Sequence, residues 1–444
     1  MNIDSIVKNN LCTGCGVCIS EDKSNRAKMV WNNEGFLVPL LDRKSSQDEM
    51  IKVCPFSLNQ KNEDELGDIF LKERDNQYQD KIGYYYSLYA GYSKEFRKTS
   101  SSGGIATYVF KMLLEYKIVD NLFIVKEVDG EYAYQFFSNI EEITQISKTR
   151  YTPVTLEKLF QEISEIEGTV AVSGVACFVK AIRLKQMYNP KLKEKIKFVV
   201  GIICGGLKSK YYTDYLAQEA GCDSEYSYAQ YRVKNEQSYA LDYRFSCEEK
   251  LNKRIHMVEM RSLGDMWGTG LFKSNACDFC DDVVTELADI SLGDAWIDPY
   301  NKNGLGNSII ITRTKVAENL IQEGLNEKYL VLERVIEEEI LLSQSGSFNH
   351  RHKGLLYRIE HASKNGKISP KKRQRYLKKQ NLFFNFIQRS RLKTRQKSLD
   401  IWLDTRNSSL FKIKMKPYFE DLKFFTLWNH RVIRLKKILF GKSI

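Results

Sequence analysis

Cys12, Cys15 and Cys18 stand at C-x2-C-x2-C spacing, and Cys54 is followed directly by Pro55. Three thiolates two residues apart can wrap one compact inorganic core. A fourth from elsewhere closes it, and Pro directly after that ligand is a bacterial ferredoxin trait. Gly14 and Gly16 fall between the ligands, where glycine lets the backbone turn tightly and aim N–H groups at sulfur. Zinc also takes four thiolates, but its usual framework is two separated C-x2-C pairs. The triplet with Cys-Pro favours a 4Fe–4S cluster, and with it redox chemistry. In two-cluster ferredoxins a C-x3-C-P run follows the triplet and its Cys serves the other cluster. Here no Cys lies close after Cys18 and no second triplet precedes Cys54, so one N-terminal cluster is expected, closed by Cys54 folding back.

The chain has 444 residues, room for two or three domains. Ten cysteines at this length are not a secreted disulfide framework. Their clustering points to ligands in a reducing cytoplasm. The N-terminus has no basic segment before an apolar core, and the most apolar run, FVVGIICGGL from Phe198, is too short to span a bilayer. Charge is unevenly placed: Lys364 to Ile444 holds 23 Lys/Arg against 4 Asp/Glu, whereas the whole chain carries only +12. The body preceding that tail is therefore net acidic.

Hydrophobic patterning predicts an α/β (α+β) fold in three parts. Residues 1–60 form a ferredoxin-like module with EGFLVPLL as its strand. Residues 61–80 are polar and read as a linker. Residues 81–350 form a mixed-sheet core. Tyr84 to Ser93 reads as one aromatic strand, and a helix starts after SSSGG at Ser100 to Gly104. NLFIVKEV and EYAYQFFS flank Asp129-Gly130 as a hairpin. TLEKLFQEISEIEG reads as an amphipathic helix. TVAVSG and KFVVGIICGG are short buried strands, each followed by a helix, the βαβ pattern of a partly parallel sheet. Residues 225–260 form a meander. Residues 364–444 form a basic, aromatic, helical tail.

Four further cysteines occupy informative places. Cys177 follows TVAVSG, Cys204 ends KFVVGIIC, and Cys277 and Cys280 form a C-x2-C pair before ADISLGDAW. Functional residues gather beyond the carboxyl ends of parallel strands, so these four could close a second thiolate site. Spacing alone leaves open whether Cys177 and Cys204 are ligands or small core residues. Cys222 and Cys247 lack such context and are read as structural.

SGVACFVKAIR is similar to the G-T-P-C-Q block of the coenzyme F420 hydrogenase/dehydrogenase beta-subunit family. GIICGG resembles its Cys-His-Gly block, and CDFCDD…ADISLGDAW its C-x2-C…AD-x-S-x-GD-x-W block. SSSGG and KTRY (Lys148 to Tyr151) also match family positions. The resemblance runs from about residue 5 to about 350 and leaves the tail outside. It implies a core cluster on Cys177, Cys204, Cys277 and Cys280, hence one or two 4Fe–4S clusters, together with FAD. Val175-Ala176, Gly205, Thr149 and Arg150 depart from the family's usual residues, which touches substrate identity rather than cysteine ligation.

No G-x-G-x-x-G run follows a strand, so a Rossmann nicotinamide site is not supported. Ser101, Ser102, Gly103 and Gly104 open a helix whose free N–H groups suit a phosphate, or form an ordinary cap. Asp294 and Trp296 end a strand, suited to a flavin's ribityl or ring edge, or to a turn and packing. Lys148 and Arg150 are anion binders or solvated. His350, Arg351 and His352 read as a polar surface loop. No catalytic proton donor is assigned.

The leading expectation is an oxidoreductase taking electrons from a ferredoxin-type donor through the clusters to FAD, then to F420 or another organic substrate. Bacterial relatives often belong to polysaccharide metabolism. The alternatives are an electron-transfer subunit feeding a partner enzyme, and a zinc-stabilised binding protein. For the tail, a helical cap on the body leads. An anionic membrane surface, which would make the protein peripheral at the inner face, comes second, and nucleic acid last.

Overall fold

Eight of the apolar runs assemble into one mixed sheet in the computed structural model, which describes residues 1–440. In chain order its strands are β1 (Ser87–Ser93), β2 (Asn121–Val128), β3 (Glu131–Phe137), β4 (Val170–Val175), β5 (Ile196–Ile202), β6 (Ile290–Asp294), β7 (Ser308–Thr312) and β8 (Leu330–Arg334). Their spatial order is β8-β1-β7-β6-β5-β4-β2-β3. The central four, β6, β5, β4 and β2, run parallel, and antiparallel strands extend both edges.

The parallel strands are mainly apolar because helices cover both faces. Alternation sorts their side chains. Ala171, Phe198 and Val200 pack under α1 (Ile105–Glu115) and a later helix, Lys315–Asn326. Val172 and Val199 pack under α2 (Ala176–Tyr188). At the β2–β3 turn Asp129 and Gly130 have φ of +54° and +84°, the double positive φ that a two-residue hairpin requires. The meander forms a separate three-stranded sheet, Tyr226–Lys234, Tyr243–Glu249 and Ile255–Glu259, after α3 (Tyr211–Glu219). Cys222 and Cys247 are buried beside it, as the structural reading requires.

Three local expectations change. The polar stretch 61–80 is not a linker. Asn62 and Glu65 form a capping box on the helix Glu63–Phe70, and Gln77–Gln79 pairs with Gly83–Tyr85. The aromatic run 84–93 is two strands, Gly83–Tyr85 and β1. Of the helix expected after Thr155, only Glu157–Glu162 forms.

The first part of the basic C-terminal tail is packed against the body. After Lys315–Asn326 (α4) come α5 (Leu355–Lys364), α6 (Leu382–Thr405) and α7 (Ser408–Phe440). Arg406, at φ +46°, turns α6 into α7. Leu399, Trp402, Phe411 and Met415 bury against Tyr215 and Phe272. This is the helical-cap arrangement. Further along α7, Phe424, Leu427, Trp428, Ile433, Leu435 and Ile438 are exposed. Among the described residues no helix is long and apolar enough to cross a membrane.

A buried ion network joins the 61–80 stretch, the core and the C-terminal residues. Arg373 is bonded to Asp281 (3.1 Å), to both oxygens of Glu286 (2.6 and 2.8 Å) and to Asp64 (3.1 Å). Lys372 meets Asp281 at 2.9 Å and Lys180 meets Glu63 at 3.0 Å. Burial opposes the charge on Asp281, but Lys372 and Arg373 hold its carboxyl well below the usual range. Removing one partner of such a network strands the others. Arg373→Met should therefore lower the unfolding free energy by about 3–5 kcal/mol. Arg375→Met, at a quarter-exposed pair with Asp64, should cost about 1 kcal/mol or less. Equilibrium denaturation of the two variants checks the contrast.

Candidate functional site

The first four cysteines converge as the spacing requires. Gly14 and Gly16 both take φ of +74°, turning the backbone between ligands. Cys18 sits on the 3-10 turn Val17–Glu21, and Cys54 caps the turn Ile51–Val53. Cys12, Cys15, Cys18 and Cys54 all line one small cavity walled by Ile3, Ile6, Leu11 and Val53. The Gly14 N–H points at Cys12 Sγ (3.4 Å). Burial pushes these thiols up, Cys12 to about 12. As bare thiols they keep their protons at neutral pH, so a metal centre there has to displace them.

This segment is docked on the core. The Leu156 N–H donates to Cys15 O (2.9 Å) and the Met29 N–H to Glu157 Oε1 (3.1 Å). A Cβ on Gly16 would lie 1.9 Å from Thr155 Oγ1, so glycine is what permits the approach.

The second set gathers beyond the carboxyl ends of β4 and β5. Cys177 lies in the first turn of α2, Cys204 two residues past β5, and Cys277 and Cys280 on and just after the turn Asn275–Phe279. Burial raises the Cys177 thiol, and its neighbours Cys277, Cys280, Cys204 and Cys15 raise it further. Cys15 and Cys18 belong to an apolar cluster against which Cys54 and Cys177 also pack, so the two sets adjoin. Backbone N–H groups again face sulfur: Gly206 to Cys204 Sγ at 3.2 Å and Leu207 to Cys277 Sγ at 3.1 Å. Among the described residues no three His, Cys, Asp or Glu side chains have the spacing that a single metal ion needs.

The polar loop at 349–353 is only partly on the surface: Asn349 and Lys353 are exposed and His350 is half-buried, whereas Arg351 is 3% and His352 6% exposed. Arg351 donates to Cys280 Sγ (3.4 Å), to Asp282 O (2.7 Å) and to Cys204 O. His352 Nε2 meets Asp281 O at 2.7 Å. Sequence reasoning missed Arg351 because its acceptors are backbone oxygens and a thiol some 70 or more residues away. It also missed Lys208 and Lys273, which pair as an isolated bridge beside Gly206 and Cys277. Burial, then Lys273, pulls Lys208 down to about 7.

The third element is a cationic cleft at Ser101 to Gly104. The serines face inward. Ser101 Oγ accepts from the Thr149 N–H (2.9 Å), tying this loop to Lys148–Tyr151, and Ser102 Oγ donates to Asn307 O (2.8 Å). The glycines serve packing: a Cβ on Gly103 would lie 2.5 Å from Gly91 O, and Gly104 has φ of +80°. Lys234 Nζ covers the loop, donating to Ser102 O (2.7 Å) and to Arg97 O. Burial, then Lys148, Arg232 and Arg97, pulls Lys234 down to about 7. Burial likewise lowers Lys148 and Arg150. Asp294, at the end of β6, is taken by Arg232, which also stacks on Trp296 (5.1 Å). Arg150 Nε and Arg232 Nε are buried without an acceptor. A buried surplus of positive charge with idle donors is chemistry suited to an anion such as a pyrophosphate.

Residues 88–161 match the family model for the N-terminal part of the coenzyme F420 hydrogenase/dehydrogenase beta subunit, and residues 168–338 match the model for its C-terminal part. The fold is similar to a chain in the F420-reducing [NiFe] hydrogenase complex from Methanosarcina barkeri. That match has a TM-score of 0.50 at 19% identity and covers 65% of this chain and 96% of that one. No curated protein matches the sequence. With two adjoining models covering more than half its length, and both cleft loops and the core cysteines inside them, the chain belongs to the coenzyme F420 hydrogenase/dehydrogenase beta-subunit family of oxidoreductases.

Proposed function

We propose that the chain is an iron–sulfur flavoprotein oxidoreductase. Electrons would enter from a ferredoxin-type donor or a partner enzyme at the N-terminal cysteines and leave to F420 or another organic substrate. The observation that carries this reading is the adjacency of the two four-cysteine sets, with Cys12, Cys54 and Cys177 packed against one apolar cluster.

Cys12, Cys15, Cys18 and Cys54 would hold one 4Fe–4S cluster, and Cys177, Cys204, Cys277 and Cys280 the second. The N–H groups of Gly14, Gly206 and Leu207 and the guanidinium of Arg351 favour thiolate over thiol. Lys148, Arg150 and Lys234 would take the phosphates of FAD above the Ser101 to Gly104 loop. Arg232 holds Asp294 and Trp296 at the far end of that cleft. When bound, such clusters supply one-electron steps and a flavin pairs them into hydride transfer.

The exposed apolar residues of distal α7 lie among Lys423, Arg431 and Arg434, a mixture suited to an anionic membrane surface. Trp428→Glu should then abolish co-flotation with phosphatidylserine vesicles and leave phosphatidylcholine vesicles unaffected.

Anaerobically purified protein should contain about eight irons and about eight acid-labile sulfides per chain. Cys204→Ser should lose about half of both and keep the remainder. Zinc without sulfide would overturn the reading. Arg150→Ala removes a charge-assisted donor worth about 1.5–3 kcal/mol, so FAD should bind at least about tenfold more weakly while the iron content stays unchanged. Flavin fluorescence in the filtrate, set beside iron analysis, reads both.

A further inference from the structure

A second ligand site lies outside the cleft. Between the Gly205–Gly206 and Asp265–Gly270 loops and the helix α6 is a cavity of about 310 Å³. That is the low end of small-molecule sites, room for a small metabolite and not for a dinucleotide. Its inner wall touches the core cysteines: Gly205 follows Cys204, and Arg351 donates to Cys280 Sγ. Its outer wall, Gly346, Arg358, Gln388, Arg391 and Leu392, comes from residues beyond the family-matched segment.

The wall is rich in cations, and its carboxylates are already engaged. Asp278 takes Lys273 (2.7 Å) and Arg395 (2.8 Å). Asp265 turns to the Trp267 and Gly268 N–H groups (3.2 and 2.7 Å). Besides Arg351, which is turned to Cys280 Sγ and backbone oxygens, two guanidiniums have only neutral acceptors. Arg358 donates to Asp278 O, Gln388 Oε1 (2.7 Å) and Arg351 O (3.3 Å). Arg391 meets His350 Nδ1 at 3.3 Å. Burial pulls Arg358 down to about 10 against the attraction of Asp278, and Arg391, Arg351 and Arg395 add to the fall.

Two donors are idle as well. Gln388 is 1% exposed, yet its Nε2 has no partner among the described residues, and neither has Arg391 Nε. An unpaired buried donor is costly, and both belong to residues lining this cavity. Trp267 and Leu392 give it an apolar side. Planar guanidiniums beside an amide fit an oxyanion, and the indole fits an uncharged remainder.

We propose that this cavity binds a small organic anion through its carboxylate or phosphate group, held by Arg391, Arg358 and Gln388, with its remainder against Trp267. The anion then lies against the Cys204 loop. The site stands on charge and shape and does not depend on what the cysteines hold.

Calorimetric titration of the full-length, flavin-replete protein tests it, with inorganic phosphate and malonate as probes and sodium chloride holding ionic strength constant. Saturable one-to-one binding of either probe is expected, and the preferred probe names the acidic group. Arg391→Gln should weaken it at least tenfold. Gly346→Glu is the safeguard against misfolding. A Cβ there meets nothing within 4 Å, and its carboxylate would repel the anion by a similar factor. Arg150→Ala, in the cleft, should leave probe binding unchanged. Absence of saturable binding by both probes, or binding that survives Gly346→Glu and is lost in Arg150→Ala, would overturn the proposal.

Discussion

Arg373 is the interaction on which the assembly rests. Its guanidinium holds two carboxylates of the segment just after Cys280 and one from the helix Glu63–Phe70. A buried charge is tolerated only when its partners are fixed in position, so these residues set the placement of that helix and of the C-terminal residues on the core. Asp281 and Glu286 lie between the C-x2-C turn and β6. The same ion network thus steadies the loop that carries Cys277 and Cys280. A structural core and a candidate redox centre share one set of bonds.

The parts that were legible in the sequence are those governed by local pattern. Alternating apolar strands and periodic helices predicted the parallel centre of the sheet, and Asp129-Gly130 predicted its hairpin. The cysteine triplet predicted a convergent thiol site, and the four N-terminal cysteines do share one cavity wall. What failed was governed by distant partners. KNEDELGDIF looks like a solvated linker because its charges find counter-ions about 300 residues away, as Asp64 does with Arg373. His350-Arg351-His352 looks exposed for the same reason. In both cases the composition is polar while particular side chains, Glu63 and Leu66 in the one and Arg351 and His352 in the other, are buried, and a one-dimensional reading sees only the composition.

The cleft at Ser101 to Gly104 shows a subtler gap. The motif drew attention to hydroxyls and glycines as ligand contacts. In the fold the hydroxyls bind the protein's own backbone and the glycines permit strand and helix to approach. The positive charge comes from two pairs, Lys148 with Arg150 and Arg232 with Lys234, each two residues apart, and nothing in the sequence ties one pair to the other. A motif can mark a place correctly while the residues in it do a different job.

The position of Arg373 also has a consequence for synthesis. The carboxylates it neutralises leave the ribosome long before it does, because the chain is made from its N-terminus. Until that arginine emerges, Asp281 and Glu286 face one another without their cation, and the nascent core has reason to stay open. That interval would leave the loop that carries Cys277 and Cys280 unsteadied. Its final placement, timed by translation, would then wait for Lys372 and Arg373.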